Sequence, residues 1–512
     1  MIYYVSPKGN NTNEGSEGMP WRTLDYAFGK IAPGDTLILR GGTYHEAVHA
    51  TLVGTKSQPI RIEAYLDEVP ILDGKAGQLG GINSGLPAGN KYRKKNMEPD
   101  SPMYGAVAKN AALLTIDNAQ YVTVVGITFQ NSTGRHLNST NSEKRPSVCV
   151  SFLNCRFLHS RMHAIAVTWP QEWRFVDCEV AYTADFFPHG NRPKFKDGEL
   201  QSANAGISVS GARGIVFENL TVHNCYGEGI ITTAHRIPSD GVFIRNGVFY
   251  DLYKSAFYVH ASRNVLIENN FVYRSAENAA LGDDNMVRLG LLNGCSIQSG
   301  EGDKETSVNP TENVQLINNV FVGTDNGIKL PGGPNTQPLV NVLVAGNSVV
   351  NPRGYGLRTI CQYPERITIQ NNLFTKDSGE LVEARNAGKW GGDDIVIDHN
   401  AWSHLPGYWH DDDTDIVGGL QLVGPVDLPH EGDREIERYR LARDSSAVNA
   451  GILIDVLRKD MSGRLRKQPP DLGALEADTT IPDEVEISLQ VGSVTWAITA
   501  TENVINAERK VT

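Results

Sequence analysis

The sequence predicts an all-β fold, a single-stranded right-handed parallel β-helix (a solenoid) with a capping helix near the N-terminus. Three observations predict this fold class. At 512 residues the chain is longer than one compact domain usually is. The 51 glycines, with only 21% charged residues, favour strands and tight turns. Short apolar strands recur at intervals of roughly 23 to 28 residues, which is one coil of a β-helix.

The first 75 residues have the pattern of an entry cap. A strand is predicted over residues 3–6, and apolar residues at helical spacing predict a helix over residues 21–31 that ends at Pro33-Gly34. Further strands are predicted over residues 35–40, 60–64 and 70–72. A helix in this place can cover the open end of a solenoid, whose unpaired backbone groups would otherwise be exposed.

The same region carries a resemblance to a known family. The segments YYVSPKGNNTNEG, PWRTLDYAF, PGDTLILRGGTYHE and PILDG resemble the opening of secreted β-helix proteins, notably polysaccharide lyase family nine, the pectate-lyase-like enzymes. The resemblance implies the β-helix fold and activity on carbohydrate. It leaves the reaction open, since β-helix glycosidases and alginate-modifying enzymes begin similarly.

A repeat follows from residue 122, in which a short apolar strand ends at an anchor residue and an apolar pair comes next. Most anchors are Asn or Asp, which tolerate left-handed backbone geometry and can bond along a stack of turns. The anchors are Gly126, Asn154, Asp177, Asn219, Asn246, Asn270, Asn319, Asn347, Asn372 and Asn400.

The repeat defines the predicted domain organisation. We expect a cap and first coils over residues 1–75, and the β-helix over 76–430 with excursions near 130–147, 185–204 and 282–312. A C-terminal closing segment is expected over 431–477, and a linker with the start of a further β module over 478–512. Insertions in a solenoid map to loops on one face and often border the binding cleft.

A second strand follows each anchor, and its alternation separates interior from outward side chains. The predicted interior stack is Ile165, Ile207, Ile230, Phe257, Leu281, Ile328, Leu357 and Val382. One predicted outward row is Ala166, Ser208, Ile231, Tyr258, Gly282, Lys329, Arg358 and Glu383. The other is Thr168, Ser210, Thr233, His260, Asp284, Pro331, Ile360 and Arg385.

The titratable residues of these rows match the needs of a polysaccharide lyase that cleaves a uronate-containing glycan by β-elimination. That reaction needs a base at the proton next to the uronate carboxylate and a positive charge to neutralise the carboxylate. The candidate catalytic residues are Tyr258, His260, Lys329 and Arg358. The family implies calcium on an aspartate cluster beside a lysine base, and Asp283, Asp284 and Lys329 approximate that arrangement.

Two other interpretations stay open. A glycoside hydrolase would need two facing carboxyl groups, with Glu228, Asp284 and Glu383 as candidates, or Asp185 and Glu199 in the first excursion. A non-catalytic glycan-binding adhesin or phage fibre would need neither acid nor base, only aromatic surfaces such as those of Tyr258, Trp169 and Trp173. Candidate substrate-binding residues are Glu228, His235, Arg236 and Glu383, although Glu228 can instead cap a turn.

Charge limits the classes of partner. A net charge of −12 disfavours nucleic acid and anionic membranes, so the expected partner of a monomeric chain is a polysaccharide or oligosaccharide. An acidic glycan would then need local cations or bound calcium. The six cysteines are scattered as core residues are, and no segment reaches the length of a membrane span. We expect a secreted or cell-surface protein whose signal peptide is absent from this chain, or a phage protein.

Overall fold

The computed structural model describes residues 1–74, 112–183, 205–280, 292–300, 309–384, 394–406 and 413–478, except positions 133, 140, 161, 226, 334 and 335. It also describes the backbone of three strands between residues 485 and 510. Within these ranges the chain forms forty strands, two short α-helices and a 3-10 turn over Glu437–Tyr439.

The first coils contain β1 (Ile2–Val5), α1 (Leu24–Phe28), β2 (Thr36–Leu39), β3 (Gly42–Tyr44), β4 (Val48–Ala50), β5 (Ile60–Ala64), β6 (Pro70–Asp73), β7 (Ala112–Ile116), β8 (Gln120–Val125), β9 (Thr128–Ser132), β10 (Arg135–Ser139), β11 (Ser147–Leu153), β12 (Arg156–Ser160), β13 (Ile165–Thr168), β14 (Pro170–Val176) and β15 (Glu179–Thr183).

The middle coils contain β16 (Ile207–Ser210), β17 (Arg213–Glu218), β18 (Thr221–Cys225), β19 (Ile230–Thr233), β20 (Ser239–Arg245), β21 (Val248–Leu252), β22 (Ser255–His260), β23 (Ser262–Glu268), β24 (Phe271–Tyr273), α2 (Ala276–Ala280), β25 (Asn293–Gln298), β26 (Thr311–Ile317), β27 (Val320–Val322) and β28 (Asn326–Leu330).

The last coils contain β29 (Leu339–Ala345), β30 (Ser348–Val350), β31 (Leu357–Thr359), β32 (Pro364–Gln370), β33 (Leu373–Thr375), β34 (Val382–Ala384), β35 (Ile395–Asp398), β36 (Ala401–Trp402) and β37 (Ile416–Val417). The strands β38 (Val485–Val491), β39 (Val494–Thr501) and β40 (Val504–Lys510) form a separate antiparallel sheet.

Three long parallel sheets build the body of the fold. Sheet A has thirteen strands in the order β1-β2-β5-β8-β11-β14-β17-β20-β23-β26-β29-β32-β35. Sheet B has thirteen, β3-β6-β9-β12-β15-β18-β21-β24-β27-β30-β33-β36-β37. Sheet C has eleven, β4-β7-β10-β13-β16-β19-β22-β25-β28-β31-β34. Successive strands of the chain pass from sheet to sheet, so the structure is the predicted single-stranded parallel β-helix.

The helix α1 and the first coils differ in extent from the sequence prediction. The helix is five residues long, and it begins after Thr23, whose hydroxyl accepts a hydrogen bond from the Tyr26 amide. Coils are present well before residue 122, since β2 pairs with β5 and β5 pairs with β8. The prediction of an excursion near 130–147 is wrong, because this segment contains β10 and the start of β11 in regular register.

From β8 to β36, every turn from sheet A to sheet B contains two residues. The first residue of each turn has positive φ, which favours Asn, Asp and Gly. These residues are Gly126, Asn154, Asp177, Asn219, Asn246, Asn269, Asn318, Gly346, Asn371 and His399. The first five predicted anchors hold this position. The other five, from Asn270 onward, occupy the second turn position, because paired asparagines such as Asn269-Asn270 conceal a shift of one residue.

The second-position asparagines form a buried ladder along the solenoid. Asn319 is fully buried, and its side-chain amide donates to Ile267 O, Ile317 O and Asn347 Oδ1 at 2.9–3.0 Å. Its own Oδ1 accepts from the backbone and side chain of Asn270 at 3.0 Å. The same pattern continues through Asn372 to Asn400. Each asparagine therefore satisfies backbone groups that a turn without strand pairing would leave unbonded.

Glycine recurs where the chain turns from sheet B into sheet C, because core side chains occupy the space next to the backbone. A Cβ atom on Gly327 would lie 2.7 Å from Gly356 O, and one on Gly356 would lie 2.9 Å from Phe374 Cδ1. These distances are shorter than side chains tolerate. Glycine at this corner therefore allows the backbone of sheet C to lie close to the aromatic core.

The longest connections between β2 and β36 all border sheet C. Residues 74–111, 184–206 and 274–292 join sheet B to sheet C, and residues 299–310 and 385–394 join sheet C to sheet A. The expected excursion near 185–204 falls within one of these connections. The one near 282–312 overlaps two of them but also contains β25, and the connection over 74–111 is not among the expected excursions. Insertions in a solenoid often border its binding face, so the outer face of sheet C is the candidate site.

Residues 418–478, which we call the C-terminal layer, cover the second half of sheet B. The outer face of that half is apolar and packs against Tyr439, Ala474 and Leu475 of the layer. Arg440 contacts Asp460 and Arg466 contacts Glu476, and all four side chains are buried. The six cysteines are free thiols, five of them buried. None of the described helices is long and apolar enough to cross a membrane.

Candidate functional site

The outer face of sheet C carries a continuous row of register neighbours, which we call the sheet C row. Adjacent members lie on neighbouring coils, about 4.8 Å apart. From the N-terminal end the row is His49, Thr115, Asn138, Ala166, Ser208, Ile231, Tyr258, Ser296, Lys329, Arg358 and Glu383. Small and neutral residues fill its middle, and the charged residues Lys329, Arg358 and Glu383 are consecutive at its C-terminal end.

The predicted interior stack is buried at every described position, from Ile165 to Val382. In the coil after Asn270, the strand of sheet C does not lie at the residues that the sequence predicts. There β24 is followed by α2, and the sheet C strand begins only at Asn293, so Cys295 takes the interior position expected for Leu281. Ser296 and Gln298 take the outward positions expected for Gly282 and Asp284, and that part of the prediction is wrong.

Asp283 and Asp284, the predicted calcium ligands, lie outside the described residues. Within the described part of the chain, no group of three His, Cys, Asp or Glu side chains is arranged to hold a metal ion. The carboxylate of Glu383, the one acid in the sheet C row, is engaged with Arg358. The described residues of this face therefore do not supply a calcium site by themselves.

Lys329 lies in the sheet C row between Ser296 on one coil and Arg358 on the next. Its pKa is lowered, first because burial disfavours the charged amine and second because the neighbouring Arg358 repels it. The Glu383 carboxylate acts in the opposite direction. A half-buried lysine beside a second cation loses its proton more readily than a lysine in water, and the neutral amine is a base.

Arg358 and Glu383 form an ion pair on adjacent coils, in which Arg358 Nε donates to Glu383 Oε2. Both side chains are largely shielded, with exposed fractions of 25% and 13%. The pair leaves the terminal guanidinium nitrogens of Arg358 as donors with the planar geometry that suits a carboxylate. The ion pair therefore fixes the positively charged side chain of Arg358 beside Lys329.

Tyr258 and His260 lie on β22, two strands before Lys329. The Tyr258 hydroxyl donates to Gln298 Oε1 at 3.0 Å, and the rings of Tyr258 and His260 stack with centroids 5.7 Å apart. His260 Nδ1 lies 3.2 Å from Thr233 Oγ1. These bonds join three coils into one polar, aromatic surface, about 10 Å from Lys329 by strand spacing.

Glu228, His235 and Arg236 lie on the edges of sheet C and not in its row. Glu228 precedes β19, is almost fully buried, and contacts Lys254 Nζ at 3.2 Å. His235 and Arg236 form the exposed turn after β19, with Arg236 at φ 68°. The structure therefore brings Lys329, Arg358 and Glu383 together and leaves these three residues apart from them.

The two tryptophans proposed as sugar-stacking surfaces are both buried. Trp173 is fully buried, and its indole donates to Ser147 O at 3.0 Å, so the prediction for this residue is wrong. Trp169 is 5% exposed and meets the ring of His235 edge to face at 5.6 Å.

The described hydrolase candidates Glu228 and Glu383 do not form a catalytic pair. Glu228 precedes β19 and Glu383 lies on β34, five strand spacings away, which is about 24 Å along the solenoid. Glycosidases place their two carboxyl groups roughly 5 to 10 Å apart. Asp185, Glu199 and Asp284, the other acidic candidates, lie outside the described residues.

Three residues of the site were not found from the sequence. Ser296 and Gln298 are outward on β25, and a register read from the strand Asn293–Gln298 would have identified them. Tyr355 precedes β31, and its pKa is raised by burial and then by Glu383 and Glu380. Its amide donates to Asn326 Oδ1 at 3.3 Å. A turn residue of this kind has no periodic signal in the sequence.

Comparisons with known proteins agree with this architecture. Residues 3–167 match the family described as Pel9A-like, right handed beta helix region. Residues 112–289 and 189–374 match the family described as right handed beta helix region. The crystal structure of pectate lyase Pel9A is similar in fold, with a TM-score of 0.50 and 15% identity over 93% of this chain and 96% of that one.

Two curated relatives are similar over short stretches. The uncharacterized protein YwoF of Bacillus subtilis is 41% identical over 73 residues, 14% of this chain and 16% of that protein. Pectate lyase PEL9 of Emericella nidulans is 36% identical over 87 residues, 17% of this chain and 21% of that protein. The matches thus span about a fifth of these relatives. The second family model covers just over half of the sequence, and the chain belongs to the family of right-handed parallel β-helix proteins.

Proposed function

We propose that this chain is a polysaccharide lyase that cleaves a uronate-containing glycan by β-elimination on the outer face of sheet C. The observation that carries the proposal is the position of Lys329, a half-buried amine of lowered pKa next to Arg358 in the sheet C row. The coarser conclusion, a carbohydrate-active β-helix protein, agrees with the family match. The similarity to pectate lyase PEL9 over 87 residues supports a uronate as the substrate.

In the proposed reaction, the neutral amine of Lys329 takes the proton from C5 of the uronate. The electron pair of that C–H bond forms the C4–C5 double bond, the C4–O4 bond breaks, and O4 takes up a proton from water. Arg358 binds the uronate carboxylate and neutralises the charge that develops as C5 loses its proton. Glu383 holds Arg358 in place through the ion pair.

Tyr258 and His260 are too far from Lys329 to act on the same carbon atom, at about 10 Å by strand spacing. We assign them to binding the neighbouring sugar units, with Gln298 and Thr233 orienting their polar groups. His235 and Arg236 extend the same edge and remain candidates for substrate contacts. Glu228, engaged with Lys254, is assigned to the turn before β19.

The proposal includes calcium only as an ion that Asp283 and Asp284 could bind. A calcium ion could neutralise the substrate carboxylate as Arg358 does. The described residues of the sheet C row supply no carboxylate beyond Glu383, so no step of the proposed reaction is assigned to a metal. The proposed setting is outside the cell, where such polysaccharides occur, and the proposed working unit is a monomer.

The experiment is a product assay on a panel of polyuronates and neutral glycans. The proposal predicts unsaturated products that absorb in the near ultraviolet, formed from a polyuronate by the parent chain and not by Lys329→Ala. A chelator followed by calcium separates the two sources of positive charge, because only a calcium-dependent reaction is lost and restored. Rapid cleavage of a neutral glycan without unsaturation would reject the lyase in favour of a hydrolase, and binding without any product would favour an adhesin.

A further inference from the structure

The outer face of sheet B changes character along the solenoid. From β21 onward most of its outward residues are apolar, including Val248, Phe271 and Val320, and the C-terminal layer covers them. Before β21 the equivalent row is polar and consists of Thr128, Arg156, Glu179 and Thr221. This polar half lies on a different sheet from the sheet C row, and the lyase mechanism makes no use of it.

A cavity of about 550 Å³, which we call the sheet B groove, lies on this polar half. One wall is the corner column Asn154, Asp177 and Asn219, and the floor includes Arg156 and Glu179. Arg434 of the C-terminal layer closes the far end, where its Nη2 donates to Thr221 Oγ1 at 2.6 Å. The volume of the groove lies in the range of small-molecule binding sites.

The charges of the groove are arranged so that its two arginines can act as donors. Arg156 Nε donates to Glu179 Oε2 at 2.7 Å, and His223 Nε2 lies 3.2 Å from the other oxygen of that carboxylate. These contacts hold the pKa of Glu179 at about 2, so it stays ionised. The bond to Glu179 uses Nε, so the two terminal nitrogens of the half-exposed Arg156 remain as donors.

Arg156 lies on β12. Arg434 of the C-terminal layer bonds to Thr221 on β18, which is two strand spacings, or about 10 Å, further along the solenoid axis. Between them, Asn219 Nδ2 donates to Asp177 Oδ1 at 2.9 Å, so amide and carboxylate groups line the wall in fixed orientations. Planar guanidinium groups bind carboxylates through paired hydrogen bonds. Amides and carboxylates bind hydroxyl groups, which fill the space between carboxylates in a uronate chain.

We propose that the sheet B groove is a second, non-catalytic binding site for a uronate-containing oligosaccharide, held by Arg156 and Arg434 at its two ends. Such a site would keep a polymer attached while sheet C works on another segment of it. Linked sites of this kind raise overall affinity for a long chain without new contacts at the catalytic face.

The test is a titration of a short oligogalacturonate, followed by calorimetry, in a Lys329→Ala background so that the sugar is not cleaved. Arg156→Ala with Arg434→Ala is expected to remove one binding site per chain, and Arg434→Ala alone to weaken that site at least tenfold. Arg174→Ala is the matched control, because Arg174 is 53% exposed and ion-paired with Glu218 on sheet A, as Arg156 is 54% exposed and paired on sheet B.

An unchanged number of sites with unchanged affinities in the double variant would overturn the proposal, and so would an equal loss in Arg174→Ala. Both arginines are exposed, so their removal should leave the midpoint of thermal unfolding unchanged. The titration counts binding sites and not turnover. It therefore gives its answer whether or not the chain proves to be a lyase.

Discussion

Lys329 and Arg358 are direct register neighbours on β28 and β31, so two cations lie one coil apart on the outer face of sheet C. Like charges at strand spacing repel, and the pair is tolerated because Glu383 on the next coil binds Arg358. The repulsion, added to burial, lowers the pKa of Lys329. An arrangement that costs stability and produces a base is typical of a catalytic site.

Lys329→Ala is expected to lower kcat on a polyuronate by at least a hundredfold, which is the usual contribution of a general base. The midpoint of thermal unfolding should stay unchanged, because the side chain is only half-buried. Lys56→Ala, a change at an exposed lysine outside the site, is the control and should retain full activity. Full activity in Lys329→Ala would place the base elsewhere.

The pH dependence of kcat/KM should shift in opposite directions in two variants. If Lys329 is the base, activity should rise with pH as its amine loses a proton. Glu383→Gln removes the charge that favours protonated Lys329, so the rising limb should move to lower pH. Arg358→Gln removes the repelling cation, so the limb should move to higher pH, with lower overall activity because the carboxylate contact is also lost. Shifts in the same direction in both variants would contradict the assignment.

Asp251 gives a pH dependence of stability that is independent of sheet C. Burial raises its pKa to about 6, although Ser275 donates to both carboxylate oxygens. Because the native state holds the proton more tightly than the unfolded chain, this contribution is present at low pH and is lost as pH rises through about 6.

Asp251→Asn should therefore become more stable relative to the parent between pH 4.5 and 7.5, by about 2 kcal/mol in the free energy of unfolding. Denaturant unfolding at the two pH values measures the change. Asp240→Asn on sheet A, which removes the ion pair with Arg263, is the comparison variant. An identical pH course in the parent and in Asp251→Asn would show that Asp251 does not titrate in this range.

The fold could be predicted from the sequence much further than the site could. Every two-residue turn has a residue of left-handed geometry at its first position, and from Asn270 onward a buried asparagine at its second. The anchors from Asn154 to Asn400 therefore record the period directly. The strands of sheet C contain no such marker residue, so their register can be predicted only by counting residues from the preceding turn. Where α2 and a long connection intervene, that count placed Asp284 in a position that Gln298 holds. Tyr355 lies in a turn and Arg434 of the sheet B groove lies in the C-terminal layer, and neither segment follows the period.

Asn319→Ala should destabilise the solenoid by about 3 kcal/mol, because it leaves several buried backbone and side-chain groups unbonded. Thermal unfolding is the measurement. Asn341→Ala is the control. Asn341 is exposed and donates a single side-chain bond, to Asn313 Oδ1 at 2.7 Å. Equal losses in the two variants would mean that the buried ladder adds nothing beyond turn geometry.

Arg466 joins the C-terminal layer to the solenoid. Its guanidinium donates to Glu476 Oε1 at 2.9 Å, to Gly473 O at 2.8 Å and to Asn318 Oδ1 at 2.7 Å. Removing one partner of a buried ion pair costs roughly 3 to 5 kcal/mol. In Arg466→Ala the layer should exchange its amide hydrogens faster and expose the apolar half of sheet B to a hydrophobic dye.

Arg464→Ala is the matched comparison for Arg466→Ala, since Arg464 pairs with Asp478 at the surface, where both side chains are about half exposed. Surface pairs of this kind contribute about 1 kcal/mol or less. Hydrogen exchange in Arg464→Ala should therefore match the parent. Slow exchange in Arg466→Ala would mean that apolar packing alone holds the layer.

The most direct test of the central claim is the ratio of unsaturated ends to new reducing ends when the parent chain cleaves a polyuronate. β-Elimination at a base such as Lys329 creates one unsaturated end for every reducing end. The account therefore predicts a ratio of one to one. Reducing ends formed without unsaturated ends would contradict it, since water would then have cleaved the glycosidic bond and Lys329 would not be the base of a lyase.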